Sequence, residues 1–282
     1  MSLTLRLSSS TISTSLPAFI VGIINSTPDS FWEDSRLMNV DSALEKALKM
    51  EEEGADILDI GGESSRPGAK YVSEQEELDR VLPLIEAIRS HSSIPISVDT
   101  RKSSVMAAAI HSGANICNDI SAMEDDPLLA NLLAEFGCPV VLMHKKGTPR
   151  TMQKDPLYTD VVTEVVQYLH LRSQIAEKSG IDADRIILDP GIGFGKTLNN
   201  NCSLIANLHQ LELLGYPVMM AVSRKSCIGE ITKKNVDLRL AGTLSVNLLA
   251  VQNGATFLRV HDVSETHDML KVLQEISYYG IH

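Results

Sequence analysis

Short apolar runs punctuate the chain at 19–24, 57–60, 94–98, 116–117, 140–143, 186–188, 218–222 and 257–260. Each is too short for a helix and reads as a strand buried on both faces. Longer segments of helical periodicity separate them, and these carry end signals. Gly54, Gly113, Gly137, Gly180, Gly215 and Gly254 each follow such a segment, where a residue with positive φ would close the helix. Three of the joins are nearly the same phrase: GADILDI, GANICNDI and GATFLRV. Ser42 with Glu45 and Ser73 with Glu76 fit capping boxes, and Asp126 followed by Pro127 fits an N-cap with proline behind it. About eight strands alternating with helices over roughly 260 residues predict an α/β fold, a single-domain (β/α)8 barrel. An open doubly wound sheet is the rival, but it usually has fewer strands in one domain and its glycine fingerprint is missing.

The stretch 54–68, GADILDIGGESSRPG, shows the repeated design most plainly: a buried strand, two glycines that free the backbone, then a polar and basic loop. Reactive groups at the tip of a rigid strand are the plan of an α/β enzyme. Residues 1–16 are rich in Ser and Thr, carry one Arg and lack a signal peptide's continuous apolar core. They read as a loose tail or a strand covering the barrel floor, with 17–282 forming the barrel.

Composition narrows the function. With 44% hydrophobic and 22% charged residues, the chain can bury a substantial core. A net charge of −11 offers no basic field for nucleic acid. No apolar run approaches the ~18 residues of a membrane span. Cys117, Cys138, Cys202 and Cys227 show no C-x-x-C spacing, so buried thiols are favoured over metal ligands or disulfides. That suits a reducing, cytoplasmic location. DPGIGFGKT resembles a phosphate loop, but Pro190 stands where a Walker A motif needs its first glycine, and Lys196 where a dinucleotide fingerprint needs its last. A glycine-rich turn after the sixth strand is the remaining reading.

The residues just past each strand form a telling set: Asn25; Glu63 with Ser65 and Arg66; Asp99; Asn118; His144; Asp189; Lys225; and Arg259 with His261. Polar residues at strand ends are often only solvated loop starts. Here every end carries one, and Asp99 and Asp189 follow buried apolar runs, where an unpaired carboxylate is costly. Asp99, Asn118, Asp189 and Lys225 offer enough donors and acceptors to bind the edge of a flat, nitrogen-rich heterocycle. Met143 and Phe194 could sandwich such a ring or could equally be core. Arg259, His261, Arg66 and Asn25 suggest an oxyanion, because barrels commonly bind phosphate after the last strands. Asp262 and Glu265 fit a capping box for the last helix, whose N-terminus would favour an anion. No His/Cys cluster suits zinc, so the expected metal is Mg2+ held by the substrate's own phosphates.

The motifs NSTPDSF (25–31), GGESSRPG (61–68), SVDTRK (97–102), NDIS (118–121), LMHKKGTPRTM (142–152), LDPGIGFGK (188–196), SRKS (223–226) and RVHDV (259–263) resemble those of the dihydropteroate synthase family, in order and at strand ends. The resemblance covers roughly 19–282. It implies that Asp99, Asn118, Asp189 and Lys225 bind a pterin ring, and that Asn25 binds Mg2+. Arg66, Arg259 and His261 would hold the diphosphate of a dihydropterin methyl diphosphate. Ser226 and the loop Ser65, Arg66 and Pro67 would position 4-aminobenzoate, with the loop carrying Phe31 and Asp34 closing over it. Lys225, Arg259 and Asp99 would carry catalysis, and the family is typically a homodimer. The implied reaction displaces diphosphate from the pterin's methylene carbon by the arylamine, with carbon–oxygen cleavage leading. Such a reaction needs no protein nucleophile, only charge stabilisation and alignment.

The chain departs from the family pattern at several places. Ser65 stands where threonine is usual, Ala221 replaces a usual glycine, and Lys145 brings a charge where methionine is common. The first loop reads Phe-Trp-Glu-Asp-Ser in place of Phe-Ser-Asp-Gly-Gly. A pterin-binding methyltransferase barrel is the nearest rival, but it binds no diphosphate leaving group. A phosphosugar lyase or aldolase on the same fold fits the two aspartates and asparagine poorly.

Overall fold

The computed structural model describes residues 2–25, 33–63, 71–147 and 156–280, with side chains for 2–24, 40–63, 71–147 and 156–279. The elements run β1 (Leu3–Arg6), β2 (Thr11–Thr14), β3 (Phe19–Asn25), α1 (Glu33–Glu52), β4 (Ile57–Gly61), α2 (Glu74–Arg89), β5 (Ile96–Asp99), α3 (Ser103–His111), β6 (Ile116–Asp119) and α4 (Leu129–Phe136). They continue with β7 (Val140–Met143), α5 (Val161–Lys178), β8 (Ile186–Asp189), α6 (Leu198–Ala206), α7 (His209–Glu212), β9 (Val218–Met220), α8 (Ser226–Thr232), α9 (Leu240–Gln252), β10 (Ala255–Val260) and α10 (Val263–Gly280). Strands β3 to β10 pair parallel in chain order, and β10 closes on β3 to complete an eight-stranded barrel. The β1–β2 hairpin is a separate antiparallel pair.

Strand alternation divides the apolar residues into two clusters. Leu58, Ile60, Ile96 and Val98 face the helices. Phe19, Ile57, Ile116, Val141, Ile187, Met219 and Phe257 fill the barrel, joined by Leu5 and Leu7 of the hairpin strand and turn. Phe19 and Phe257 stack there with ring centroids 4.9 Å apart. This apolar plug ends one layer below the strand tips, and above it the inward positions of β4, β5, β6, β8 and β10 carry Asp59, Asp99, Asn118, Asp189 and Arg259.

The helix signals are met in part. Ser73 caps α2 and accepts from the Glu76 N–H at 3.2 Å. Gly137 closes α4 at φ 59°, a conformation that costs a residue without Cβ nothing. Helix α1, however, begins at Glu33, so Ser42 lies inside it and Asp34 belongs to the helix, not to a loop. Helix α4 begins at Leu129; the Asp126 carboxylate is shared between the Leu128 N–H and the Ser103 N–H at the start of α3. Asp262 does not cap α10 with its side chain, because Arg224 takes that carboxylate. Among the described residues no helix is long and apolar enough to cross a membrane.

Candidate active site

The first polar layer above the plug is built by Asp59, Asp99, Asn118, Asp189 and Arg259, each on a barrel strand. Arg259 donates through Nε to Asp59 Oδ2 at 2.6 Å and through a terminal nitrogen to Asp99 Oδ2 at 3.2 Å. Asn118 Nδ2 points at the same Asp59 carboxylate, 3.2 Å from Oδ2. Burial pushes Asp99 up to about 7 against the pull of Arg259, with the Asp59 charge adding to the rise. For Arg259, burial works against the charge, and Asp59 and Asp99 outweigh it to hold the guanidinium above its usual range. Asp59 escapes a reading confined to strand ends because it stands two residues before the tip of β4. The available signal was a carboxylate inside the run ILDI, inward by alternation with Ile57.

Asp189 and Lys225 form the second group. Asp189 Oδ1 accepts from the Gly191 N–H at 2.7 Å, and burial raises its pKa while Lys225 opposes. Lys225 donates to the Ile192 carbonyl at 2.5 Å and lies 4.7 Å from the centroid of the Phe194 ring. Burial brings its ammonium down to about 8, with Asp189 resisting. Met143 ends β7 in register with Asp189 and is buried. The structure thus brings Asp99, Asn118, Asp189, Lys225, Met143 and Phe194 to one end of the barrel.

His261 follows β10 and is held by Ser223. The His261 backbone N–H donates to Ser223 Oγ at 3.2 Å, and the Ser223 hydroxyl lies 2.9 Å from Nδ1. With the imidazole neutral, a hydroxyl that donates to Nδ1 places the ring proton on Nε2, and one that accepts from Nδ1 places it on Nδ1. Burial, with Arg259 and Lys46 nearby, brings His261 down to about 4, so the ring is neutral at pH 7. This serine orients a histidine; it is not a poised nucleophile. Arg224, at φ 56°, grips Asp262 with two nitrogens and anchors the turn from which Lys225 and exposed Ser226 extend.

His144 does not join this layer. Its ring packs edge-on against Tyr168, with centroids 4.9 Å apart, and Nδ1 faces Lys196. Lys145 pairs with Asp125 at 2.7 Å, beside Arg101 on the same carboxylate. Glu63 is tied to Arg101 and Lys102 at 3.0 and 3.1 Å. Phe31, Ser65, Arg66 and Pro67 lie outside the described residues, as does the Asn25 side chain. A cavity of about 790 Å3 between the start of α5 and α6–α7, lined by Thr159, Gln167, Asn200 and Gln210 among others, includes none of the predicted site residues.

Two carboxylates, an amide and an ammonium around one floor, beside a half-buried guanidinium and a neutral histidine, can read a heterocycle's edge and hold an anion next to it. Residues 21–261 match the model of the pterin binding enzyme family. The chain is 47% identical to the dihydropteroate synthase of Haemophilus influenzae over 255 residues, covering 90% of this chain and 92% of that one. The chain belongs to the dihydropteroate synthase family. Its fold agrees with two structures of the Xanthomonas albilineans dihydropteroate synthase. The one with 4-aminobenzoic acid gives a TM-score of 0.90 at 43% identity, covering 98% of this chain and 99% of that one. The one with 7,8-dihydropteroate gives 0.86 at 40% identity, covering 97% and 98%. As a dihydropteroate synthase the chain is a transferase.

Proposed function

We propose that the barrel mouth joins (7,8-dihydropterin-6-yl)methyl diphosphate to 4-aminobenzoate through the residues described above. The new bond links the arylamine nitrogen to the pterin's methylene carbon. The bond from that carbon to the diphosphate oxygen breaks with its electron pair, and the amine proton is released. Asp99, Asn118, Asp189 and Lys225 bind the ring edge, with Phe194 and Met143 against its faces. Arg259 and His261 hold the departing diphosphate, where charge grows as the bond breaks. Arg66 joins them, and Ser65, Pro67, Phe31 and Ser226 flank the 4-aminobenzoate.

The observation that carries this reading is the Arg259 bridge between Asp59 and Asp99. It puts the anion-binding cation within hydrogen-bond reach of a ring-binding carboxylate, which suits one substrate that carries both a ring and a diphosphate. Lys225 serves as an ammonium here and not as a Schiff-base nucleophile, since the Ile192 carbonyl and Asp189 both favour its charged form.

Mg2+ would be held by Asn25 and the diphosphate oxygens. Among the described residues no group of three or more His, Cys, Asp or Glu could hold a metal, and an amide donor at the end of β3 suits an ion that arrives with phosphate ligands. Bound there, Mg2+ would neutralise charge on the leaving group. A homodimer is supported by exposed apolar residues on the α8–α10 side, among them Ile231, Leu238, Leu249, Val272 and Ile276. Cytoplasmic residence is supported by the free thiols of Cys117, Cys138, Cys202 and Cys227.

Diphosphate release from the dihydropterin diphosphate with Mg2+, measured with and without 4-aminobenzoate, tests the reading. Release that requires the arylamine and yields dihydropteroate is expected. Folded protein that binds the pterin but turns nothing over would count against it, and failure to bind pterin would remove the ring-binding assignment.

A further inference from the structure

The loop after β8, PGIGFGK, is the motif that neither a phosphate nor a dinucleotide fingerprint explains. In the structure it is folded around the amine of the chain's own Lys196, which burial brings down to about 7 while the Asp189 charge supports its protonated form. Lys196, only 3% exposed, sends its ammonium back into its own loop. There it lies 2.9 Å from the Gly191 carbonyl, 3.0 Å from the Phe194 carbonyl, 3.3 Å from the His144 carbonyl and 2.9 Å from His144 Nδ1. An ammonium has only three protons, so these four acceptors enclose it completely. A phosphate loop turns N–H groups inward around an anion; this one turns carbonyls inward around a lysine amine.

The enclosure reaches the ring pocket by short covalent steps. Gly191 donates its N–H to Asp189, Ile192 accepts from Lys225, and Phe194 lies under the Lys225 ammonium. Lys196 therefore grips the carbonyls on either side of the one that Lys225 uses. Gly191 and Gly195 allow no side chain here: a Cβ at Gly191 would stand 1.9 Å from the His144 carbonyl oxygen, and one at Gly195 2.2 Å from that of Lys146. The β7 and β8 loops thus meet backbone to backbone, with the Lys196 ammonium as the polar pin between them. Tyr158 adds an outer tie, donating to the Gly195 carbonyl at 2.8 Å.

We propose that Lys196 is a positioning residue for pterin binding: its ammonium fixes the β8 loop so that Asp189, Lys225 and Phe194 stand ready for the ring before it arrives. The proposal rests on the ring-binding reading above. Lys196 never touches the ring; it removes the need to order seven residues on binding.

The test compares wild type with Lys196→Met, which keeps the length of the side chain and removes its protons. Binding of 6-hydroxymethyl-7,8-dihydropterin is measured by calorimetry, alongside thermal melting and the KM for 4-aminobenzoate at saturating pterin diphosphate. Displacing Asp189, Lys225 and Phe194 from the ring weakens ring affinity by about tenfold or more. The 4-aminobenzoate KM should move less than about twofold, since the pterin-filled site has already ordered the loop. Ring affinity unchanged in a folded variant overturns the proposal, and so do equal losses for both substrates tracking a fall in melting temperature. Should Lys196→Met not fold, amide hydrogen exchange of residues 191–196 in the wild-type protein decides instead: protection already present before pterin is added is expected. Protection that appears only once pterin is bound overturns the proposal. Wild-type protein that fails to bind the pterin would instead sink the ring-binding reading.

Discussion

Arg259 and Asp59 form an ion pair in the polar layer of the mouth, 2.6 Å apart, with the Asp59 side chain 1% exposed. Asp59 also receives Asn118, so one carboxylate aims both a leaving-group cation and a ring-reading amide. Removing one partner of a buried pair leaves the other charge uncompensated, which outweighs the pair's modest net value. Asp59→Asn keeps the shape and removes the charge. It should lower the stability of the folded state by about 3 kcal/mol, read from urea denaturation. It should also raise the KM for the pterin diphosphate, because Arg259 loses its aim. A urea midpoint equal to wild type would show that Asp99 alone compensates Arg259.

Lys225 and Arg259 should separate ring binding from diphosphate binding. Losing one charged hydrogen bond in a desolvated site costs about 2 kcal/mol, roughly thirtyfold in affinity. Lys225→Met should show that loss for the ring alone, 6-hydroxymethyl-7,8-dihydropterin, and equally for its diphosphate. Arg259→Lys keeps a cation beside Asp59 and Asp99, so ring affinity should hold while affinity for the diphosphate form falls. Calorimetry with both ligands on both variants decides. Equal losses for both ligands in Arg259→Lys would merge the two subsites.

Ring affinity should follow a bell in pH. Asp99 stands at about 7 in the empty site, raised by burial, and Lys225 at about 8, lowered by burial. A ring that donates N–H groups to Asp99 needs the carboxylate ionised, so affinity weakens as pH falls below 7 and protons must leave on binding. A ring that accepts from Lys225 needs the ammonium, so affinity weakens again as pH rises above 8. The maximum lies between the two. Dissociation constants for 6-hydroxymethyl-7,8-dihydropterin across pH 5.5 to 9.5 would reveal it, since each limb approaches about tenfold per pH unit. A flat profile would mean that neither group changes its proton on binding.

The barrel and most of its mouth were legible because strand ends are marked twice, by the close of an apolar run and by a polar residue after it. Asp99, Asn118 and Asp189 carry that double mark, while Lys225 stands three residues past its run and Arg259 inside the last one. Asp59 carries only half of it, an acid within an apolar run, so its partner Arg259 could be named while the pairing could not. Asp262 and Ser42 misled for a related reason. A capping box is a local signal, and Arg224, distant in sequence, claims the Asp262 carboxylate, while helix α1 runs straight through Ser42. Lys196 offered no signal beyond a failed phosphate-loop match, because its partners are carbonyls, which every residue has.

The barrel floor yields the remaining prediction, on stability alone. Leu5 is 1% exposed and packs into the cluster that holds the stacked Phe19 and Phe257, at the end of the barrel away from Arg259. Nearby, Arg6 reaches Asp182 and, at 3.0 Å, Asp184, across side chains that are 44% to 59% exposed. The two contacts differ in environment. Truncating a buried leucine leaves a cavity as well as a lost transfer energy, about 3 kcal/mol, whereas an exposed ion pair is screened by water and salt and contributes roughly 0.5 kcal/mol or less. Leu5→Ala should therefore lower the melting temperature by several degrees and Arg6→Ala hardly at all. Kinetics at 25 °C should change in neither, because the apolar plug separates both from the polar layer. Equal melting temperatures for Leu5→Ala and wild type would mean that the hairpin lies on the floor without sealing it.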